Sequence, residues 1–533
     1  MKPQPQWWRD AAIYQIYVRS FADSNGDGEG DLAGIRERLP HLAELGVDAL
    51  WLTPFYVSPL ADGGYDVADY RDVDPRFGTL EDFDALLADA HKRGIRLIID
   101  VVPNHSSSAH RWFREAVAAE PGDPARSRYI FRDGRGPDGE EPPNNWKSVF
   151  GGAAWTRLKR PDGTPEQWYL HLFDSEQPDF DWTNQEVHDE FEDVLRFWLD
   201  RGVDGFRIDV AHGLVKDPAL PDVAENAKAD MLDGSTTLPY FDQDGVHEIY
   251  RRWSRIAAEY PGDRALVAEA WVEDVDRIAR YVRPDELHQA FNFEYLTAPW
   301  DADRLRGVID RSLAANGAVG ATTTWVLSNH DVTRHVTRFG GGERGLRRAR
   351  AATLLMLGLP GSVYLYQGEE LGLPEVTDLP EEALQDPTWK RSGHTERGRD
   401  GCRVPLPWEG DSSPYGFGPE GSVPWLPMPE GWGALSRASQ RGVEGSTLEL
   451  YTKALHLRRE SKALGDGSMT WLDSPSGVLY FEREPNVRVA VNLTGEAAEL
   501  AASGEVLVSS APVDAPREGS LTLPADTAVW LRG

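Results

Sequence analysis

Cysteine is nearly absent from this chain: its 533 residues contain one, Cys402. An internal disulfide is therefore excluded, and nothing marks an oxidising compartment. Basic residues are also in deficit, with 56 Lys and Arg against 87 Asp and Glu and a formal net charge of −31. Nucleic acid and anionic membrane surfaces attract the opposite balance, so neither is expected as a partner. No apolar run approaches the length that crosses a bilayer, and the opening MKPQPQWWRDAA has no apolar leader core. The expectation is a cytoplasmic protein, monomer or homodimer. The zinc spacings CxxC and HExxH do not occur. Internal repeats and low-complexity tracts are missing too.

What is present is a long globular chain, too long for one core, so two or three domains are expected. Eight apolar, β-branched runs recur through the first 370 residues: 12–18, 49–55, 96–102, 203–210, 265–271, 288–295, 323–328 and 362–368. Amphipathic stretches separate most of them. In FDALLADAHKRG (83–94), Leu86, Leu87 and Ala90 share a face and Gly94 is a stop signal. Strand–helix alternation predicts parallel βα units, and eight of them predict an α/β fold, a (β/α)8 TIM barrel. The third unit is interrupted by about 95 residues rich in Pro, Gly and Asp, too long for a plain loop. A second Pro/Gly-rich insertion covers roughly 371–445. After a helix at 448–464, short strands such as VLYFERE, VRVAVNL and AVWLRG predict an antiparallel β-domain.

Charged residues gather at the predicted C-terminal ends of these strands. The segments are GYD (64–66), DVVPNH (100–105), GFRIDVAH (205–212), VAEAW (267–271) and SNHD (328–331). That end of a (β/α)8 barrel is where chemistry is done. Asp209, Glu269 and Asp331 each follow an apolar run, and Arg207, two residues before Asp209, points the same way on a strand. In this order the five segments resemble the α-amylase family of glycoside hydrolases, in particular its α-glucosidase and oligo-1,6-glucosidase group. The resemblance covers nearly the whole chain. It implies a barrel domain (1–104 and 176–464), an inserted small domain (105–175) and a C-terminal β-domain (465–533).

Retaining glycoside hydrolysis needs one ionised carboxylate and one protonated carboxyl across the scissile bond. By resemblance Asp209 is the nucleophile with Arg207 as its partner, Glu269 the general acid/base, and Asp331 the transition-state stabiliser. His105 and His330 are implied as sugar ligands, Tyr65 as a stacking platform, and Asp66 as a ligand for the terminal glucose. Asp100 is implied to be structural. GRDGCRVPLPW (398–408) resembles an α-glucosidase stretch that contributes an arginine to that glucose, which matches Arg399. Phe173 and Phe150 are read either as pocket wall or as ordinary core. The expected substrate is a small α-glucoside, cleaved by retention from the non-reducing end without an organic cofactor. Val210 after the nucleophile matches α-1,6 activity, whereas the following AHGLVKDP departs from it, so both linkages are expected. A transglucosylase, or a sucrose- or trehalose-active enzyme, is the alternative on the same scaffold, and a non-catalytic interaction subunit the remote one.

DSNGDGEGD (23–31) spaces Asp23, Asn25, Asp27 and Asp31 between glycines, hard oxygen ligands suited to Ca²⁺, with Mg²⁺ as an alternative. Position twelve is Gly34, so the loop is not an EF-hand. The resemblance adds the Glu29 carbonyl and implies a structural role.

Overall fold

The computed structural model describes residues 6–224, 238–272 and 274–533. Eight parallel strands form its centre: β1 (Ala12–Ile16), β2 (Ala49–Leu52), β3 (Arg96–Val101), β4 (Gly205–Ile208), β5 (Ala265–Ala268), β6 (Gln289–Ala290), β7 (Thr324–Val326) and β8 (Ser362–Tyr366). The sheet runs β6-β5-β4-β3-β2-β1-β8-β7. A parallel bridge between Phe291 and Thr324 joins its two ends and closes the barrel. All eight predicted runs are strands, but shorter than their sequence signal. The sixth shrinks to two residues because Asn292 caps a helix at Phe293–Thr297.

Every strand residue alternates between two buried environments, which is why the runs are continuously apolar. Ile13, Trp51, Ile98, Val267 and Tyr364 fill the barrel interior. Leu50, Leu97, Phe206, Leu266 and Trp325 face the surrounding helices. Those helices begin and end on local signals. Leu32–Leu45 starts on the Asp31 side chain, which accepts from the Gly34 N–H, and ends on left-handed Gly46. Leu80–Lys92 starts with a Thr79/Asp82 capping box and buries Leu86, Leu87 and Ala90.

Two excursions shape the barrel mouth. Between β3 and β4 lies a three-stranded antiparallel sheet of Phe131–Arg132, Pro165–Leu170 and Trp155–Lys159. Its apolar cluster reaches Val210, just beyond β4. The second excursion follows β8 and contains the short helix Pro387–Arg391. C-terminal antiparallel strands (Val478–Arg483, Val487–Asn492, Thr527–Arg532 among them) dock on the helix Gly342–Gly358, where the Trp530 indole donates to the Leu354 carbonyl at 3.0 Å.

Candidate active site

Barrel registry fixes the first half of the site. Asp100 of β3 is level with Arg207 of β4, which is level with Val267 of β5. The ladder continues past the strand ends: the Asp209 N–H reaches the Val101 carbonyl at 2.9 Å, and the Glu269 N–H the Ile208 carbonyl at 3.0 Å. Both carboxylates therefore stand on fixed backbone and face the same guanidinium. Arg207 Nη1 lies 2.6 Å from Asp209 Oδ1 and 2.6 Å from Asp100 Oδ1, while Nη2 lies 2.7 Å from Glu269 Oε2. The indoles of Trp51 and Trp271 complete the shell, donating to Asp100 Oδ2 at 2.8 Å and Glu269 Oε1 at 3.3 Å. Arg207 is fully buried, and its three carboxylate partners outweigh the cost of burying its charge.

Burial pushes the Asp209 carboxyl well above the usual carboxylate range; Arg207 opposes this, and the charges on Glu269 and Asp100 add to it. Asp100, buried in the same way and held down by Arg207, rises to about 6. Val210 adds strain to this corner. It is a β-branched residue at φ 44°, a left-handed conformation costly for such a side chain. In that conformation its N–H donates to Glu269 Oε2 at 3.0 Å, tying the two strand ends together.

Arginines from the segment after β8 organise the second half. Arg399 donates to Asp331 Oδ1 at 2.9 Å and Asp62 Oδ1 at 2.6 Å, with Asp386 Oδ2 at 2.5 Å holding its Nε. Arg403 reaches Asp331 Oδ1 at 3.0 Å and the His330 carbonyl at 2.8 Å. Burial by itself would raise Asp331, but His330, Arg399 and Arg403 hold it well below the usual range. Burial keeps the His330 ring neutral near pH 7, so the two guanidinium groups carry this effect. The Gln15 amide nitrogen, as assigned, donates to His330 Nδ1 at 2.7 Å, leaving the ring proton on Nε2, 3.3 Å from Asp331 Oδ2. Tyr65 stacks on His330 with centroids 5.2 Å apart and planes 9° apart.

Asp62, Tyr65, Asp209, Glu269, His330, Asp331 and Arg399 line one cavity of about 840 Å³, together with His105, Phe150, Phe173, Val210 and Trp271. Phe150 stands edge-on to Phe173 at 5.5 Å and lies under Arg399 at 4.8 Å, so both phenylalanines are wall. Burial lowers His105 to about 4, so its ring is neutral. Two residues singled out from sequence are not on the lining. Arg207 sits beneath it, acting through the carboxylates. Asp66 is fully buried with its oxygens accepting from the Ala61 and Asp62 N–H groups at 2.9 and 3.0 Å, and burial raises it to about 6. Asp62, four residues earlier on the same turn, faces the cavity and Arg399 instead. Sequence reading also missed Arg403, Asp386 and Gln177, whose amide donates to Asp62 at 3.1 Å. Arg403 lies in the stretch that supplied Arg399, which was the available signal.

In the 23–31 loop, the Asp and Asn side chains accept from nearby main-chain N–H groups. Asp23 accepts from Asn25, Gly26 and Gly28, Asn25 from Asp27, Asp27 from Glu29, and Asp31 from Ser24 and Gly34. The Glu29 carboxylate is taken by Arg19 at 2.8 Å, leaving its carbonyl. The donors are hard oxygens with lone pairs to spare, which fits Ca²⁺ in kind. Among the described residues, no three or more His, Cys, Asp or Glu side chains are grouped as a metal site.

A parallel (β/α)8 barrel with paired carboxylates lining a cavity at the C-terminal end of its strands is the architecture of a glycoside hydrolase. Comparison with known proteins gives the family. Residues 15–467 match the alpha-amylase family, described as "Alpha amylase, catalytic domain", and the chain belongs to it. It is 40% identical to a "Probable alpha-glucosidase" of Rhizobium meliloti (strain 1021), covering 93% of this chain and 91% of that one. It is 35% identical to the trehalose-6-phosphate hydrolase of Escherichia coli (strain K12), covering 99% and 98%. Among solved structures, the alpha-glucosyl transfer enzyme XgtA is 40% identical with a TM-score of 0.88, covering 99% and 100%. No helix among the described residues is long and apolar enough to cross a membrane.

Proposed function

We propose that this protein is a retaining, exo-acting α-glucosidase of short α-glucosides. One observation carries the reading: Asp209 and Glu269 share Arg207 in a cavity stopped at one end by the Asp62–Arg399–Asp331 ion pairs. On this reading the stop is where a terminal sugar ring ends, with its carboxylates and guanidinium as partners for the hydroxyls of that ring. Asp209 attacks the anomeric carbon as Glu269 gives its proton to the leaving oxygen. Positive charge developing at the ring is met by ionised Asp209 and Asp331. Glu269 then takes a proton from water, which frees the glucose with its α configuration. His330 and His105, neutral and at the wall, serve as hydroxyl partners, and Tyr65 as the platform under the ring.

The test follows the anomeric protons by NMR after adding the protein to maltose and, separately, to isomaltose. Initial release of α-glucose from both is expected. Initial β-glucose, or no turnover of either, sinks the reading. A second reading, transfer of glucose to a sugar or alcohol hydroxyl, is favoured by the likeness to XgtA. It predicts new glycosidic signals without matching free glucose. Trehalose 6-phosphate belongs among the substrates tried, given the second relative.

The same proposal includes a structural Ca²⁺ held by Asp23, Asn25, Asp27, the Glu29 carbonyl and Asp31. Bound there, the ion would offset two of the three carboxylate charges and brace the start of helix Leu32–Leu45. EDTA is expected to lower the melting temperature by several degrees and Ca²⁺ to restore it; loss of turnover with an unchanged melting temperature would refute the structural role. A cytoplasmic setting is supported by the single cysteine and by the absence of a membrane-crossing helix among the described residues.

A further inference from the structure

The cavity has an end open to solvent. It is formed where the two excursions meet: Lys147–Gly152 from the insert after β3, and Thr388, Arg391, Ser392, Thr395 and Glu396 from the segment after β8. Lys147, Gly152, Thr395 and Glu396 are exposed, so this end is the mouth. One side chain ties the two segments together across it. Arg391 Nε donates to the Gly151 carbonyl at 3.0 Å and its Nη2 to the Ala153 carbonyl at 3.0 Å. Asp174 stands 3.9 Å from its Nη1, adding charge without a hydrogen bond. The pinned loop needs such a fastening. Gly151 (φ 97°) and Gly152 (φ 75°) form its tip, two residues with little conformational preference of their own. Phe150, next to that tip, is the wall ring between Phe173 and Arg399.

We propose that Arg391 is a specificity-determining residue that sets the length of the leaving group. By pinning the 148–153 loop at the mouth, it limits the room beyond the scissile bond. Disaccharides then fit with the loop closed, whereas longer glucosides must displace it. A planar guanidinium suits this task, since its fixed fork of N–H groups holds two carbonyls of one turn at once. A lysine ammonium also has several donors, but no fixed fork to orient them. This inference rests on the α-glucosidase reading and adds to it the size of the preferred substrate.

Wild type, Arg391→Ala and Arg391→Gln would be compared on matched α-glucosides with one-sugar and three-sugar leaving groups, in both the α-1,4 and α-1,6 series. The readout is the ratio of kcat/KM, long over short, which cancels any uniform loss from a loosened fold. That ratio is expected to rise about five- to tenfold in Arg391→Ala, the scale of one or two lost hydrogen bonds, and less in Arg391→Gln, which keeps donors for one carbonyl. An unchanged ratio in folded variants overturns the inference, even if both rates fall together. Should Arg391→Ala not fold, Arg391→Gln decides. Wild-type protein inactive on every α-glucoside would instead overturn the proposed function itself, so the two failures are distinguishable.

Discussion

Single side chains in this site are tuned by opposed forces of similar size. Asp209 is raised by burial against the pull of Arg207, whereas Asp331 is lowered by two guanidinium groups against the same burial. In the proposed mechanism Asp209 must be ionised to attack, so the acid limb of the pH profile of kcat/KM should lie above about 4, the usual carboxylate value. A limb at or below that value would contradict the burial argument. Asp62 and Asp66 offer a crossed test. Asp62→Asn, which unpairs Arg399 at the cavity, is expected to lower kcat/KM about 10- to 100-fold with a modest change in melting temperature. Asp66→Asn, which replaces an acceptor of two main-chain N–H groups, is expected to do the reverse. Equal effects in both assays would remove the distinction drawn between them. The sequence pointed to this turn but not to the acid that faces the sugar. Both acids sit in one five-residue stretch, and only the fold of that turn decides which lines the cavity.

At the scale of elements, the catalytic geometry is a consequence of strand registry. Gly205 opens β4 directly opposite Ala265 of β5. A Cβ at Gly205 would fall 2.3 Å from the Ala265 carbonyl oxygen, which is main chain and cannot turn aside. Gly205→Ala should therefore push β4 from β5 and move Asp209 relative to Glu269. A stability loss of roughly 2 kcal/mol or more is expected, with kcat falling further than the stability loss explains. Denaturant melts and single-turnover rates check this; a folded variant with unchanged kcat would show that the registry tolerates the shift. The strands themselves were legible because each is buried on both faces and hence continuously apolar. Their ends were less so. The 288–295 run reads as one strand, yet Asn292 halts it by capping the next helix. A propensity pattern carries no information about which of two hydrogen-bonding options a side chain takes.

Across the whole molecule, a buried acid off the cavity lining couples stability to pH. Glu369, beyond β8, is raised to about 8 by burial, with Glu370 adding and Arg334 opposing. Its folded value exceeds its unfolded one, so the native state holds an extra proton between about 4.5 and 8. Stability from this group is present below that window and is lost as pH rises through it, by an amount on the order of 5 kcal/mol. Glu369→Gln cannot ionise. Its melting temperature relative to wild type should climb as pH goes from about 5 to about 9. A difference that stays flat with pH would mean Glu369 is not the titrating group.

The amino-acid order alone determined the barrel, the two excursions, the terminal sheets and the carboxylates Asp209, Glu269 and Asp331. Each of those rests on local apolar pattern or on short contiguous segments, which a linear chain displays directly. Tertiary structure decided what depends on meetings between distant segments. Asp62 and not Asp66 faces Arg399, 337 residues away. Arg403 joins Arg399 on Asp331, and Arg391 fastens one excursion to the other, 240 residues away. A guanidinium can satisfy any carboxylate or carbonyl within reach, and which one lies within reach is fixed by the closure of the barrel.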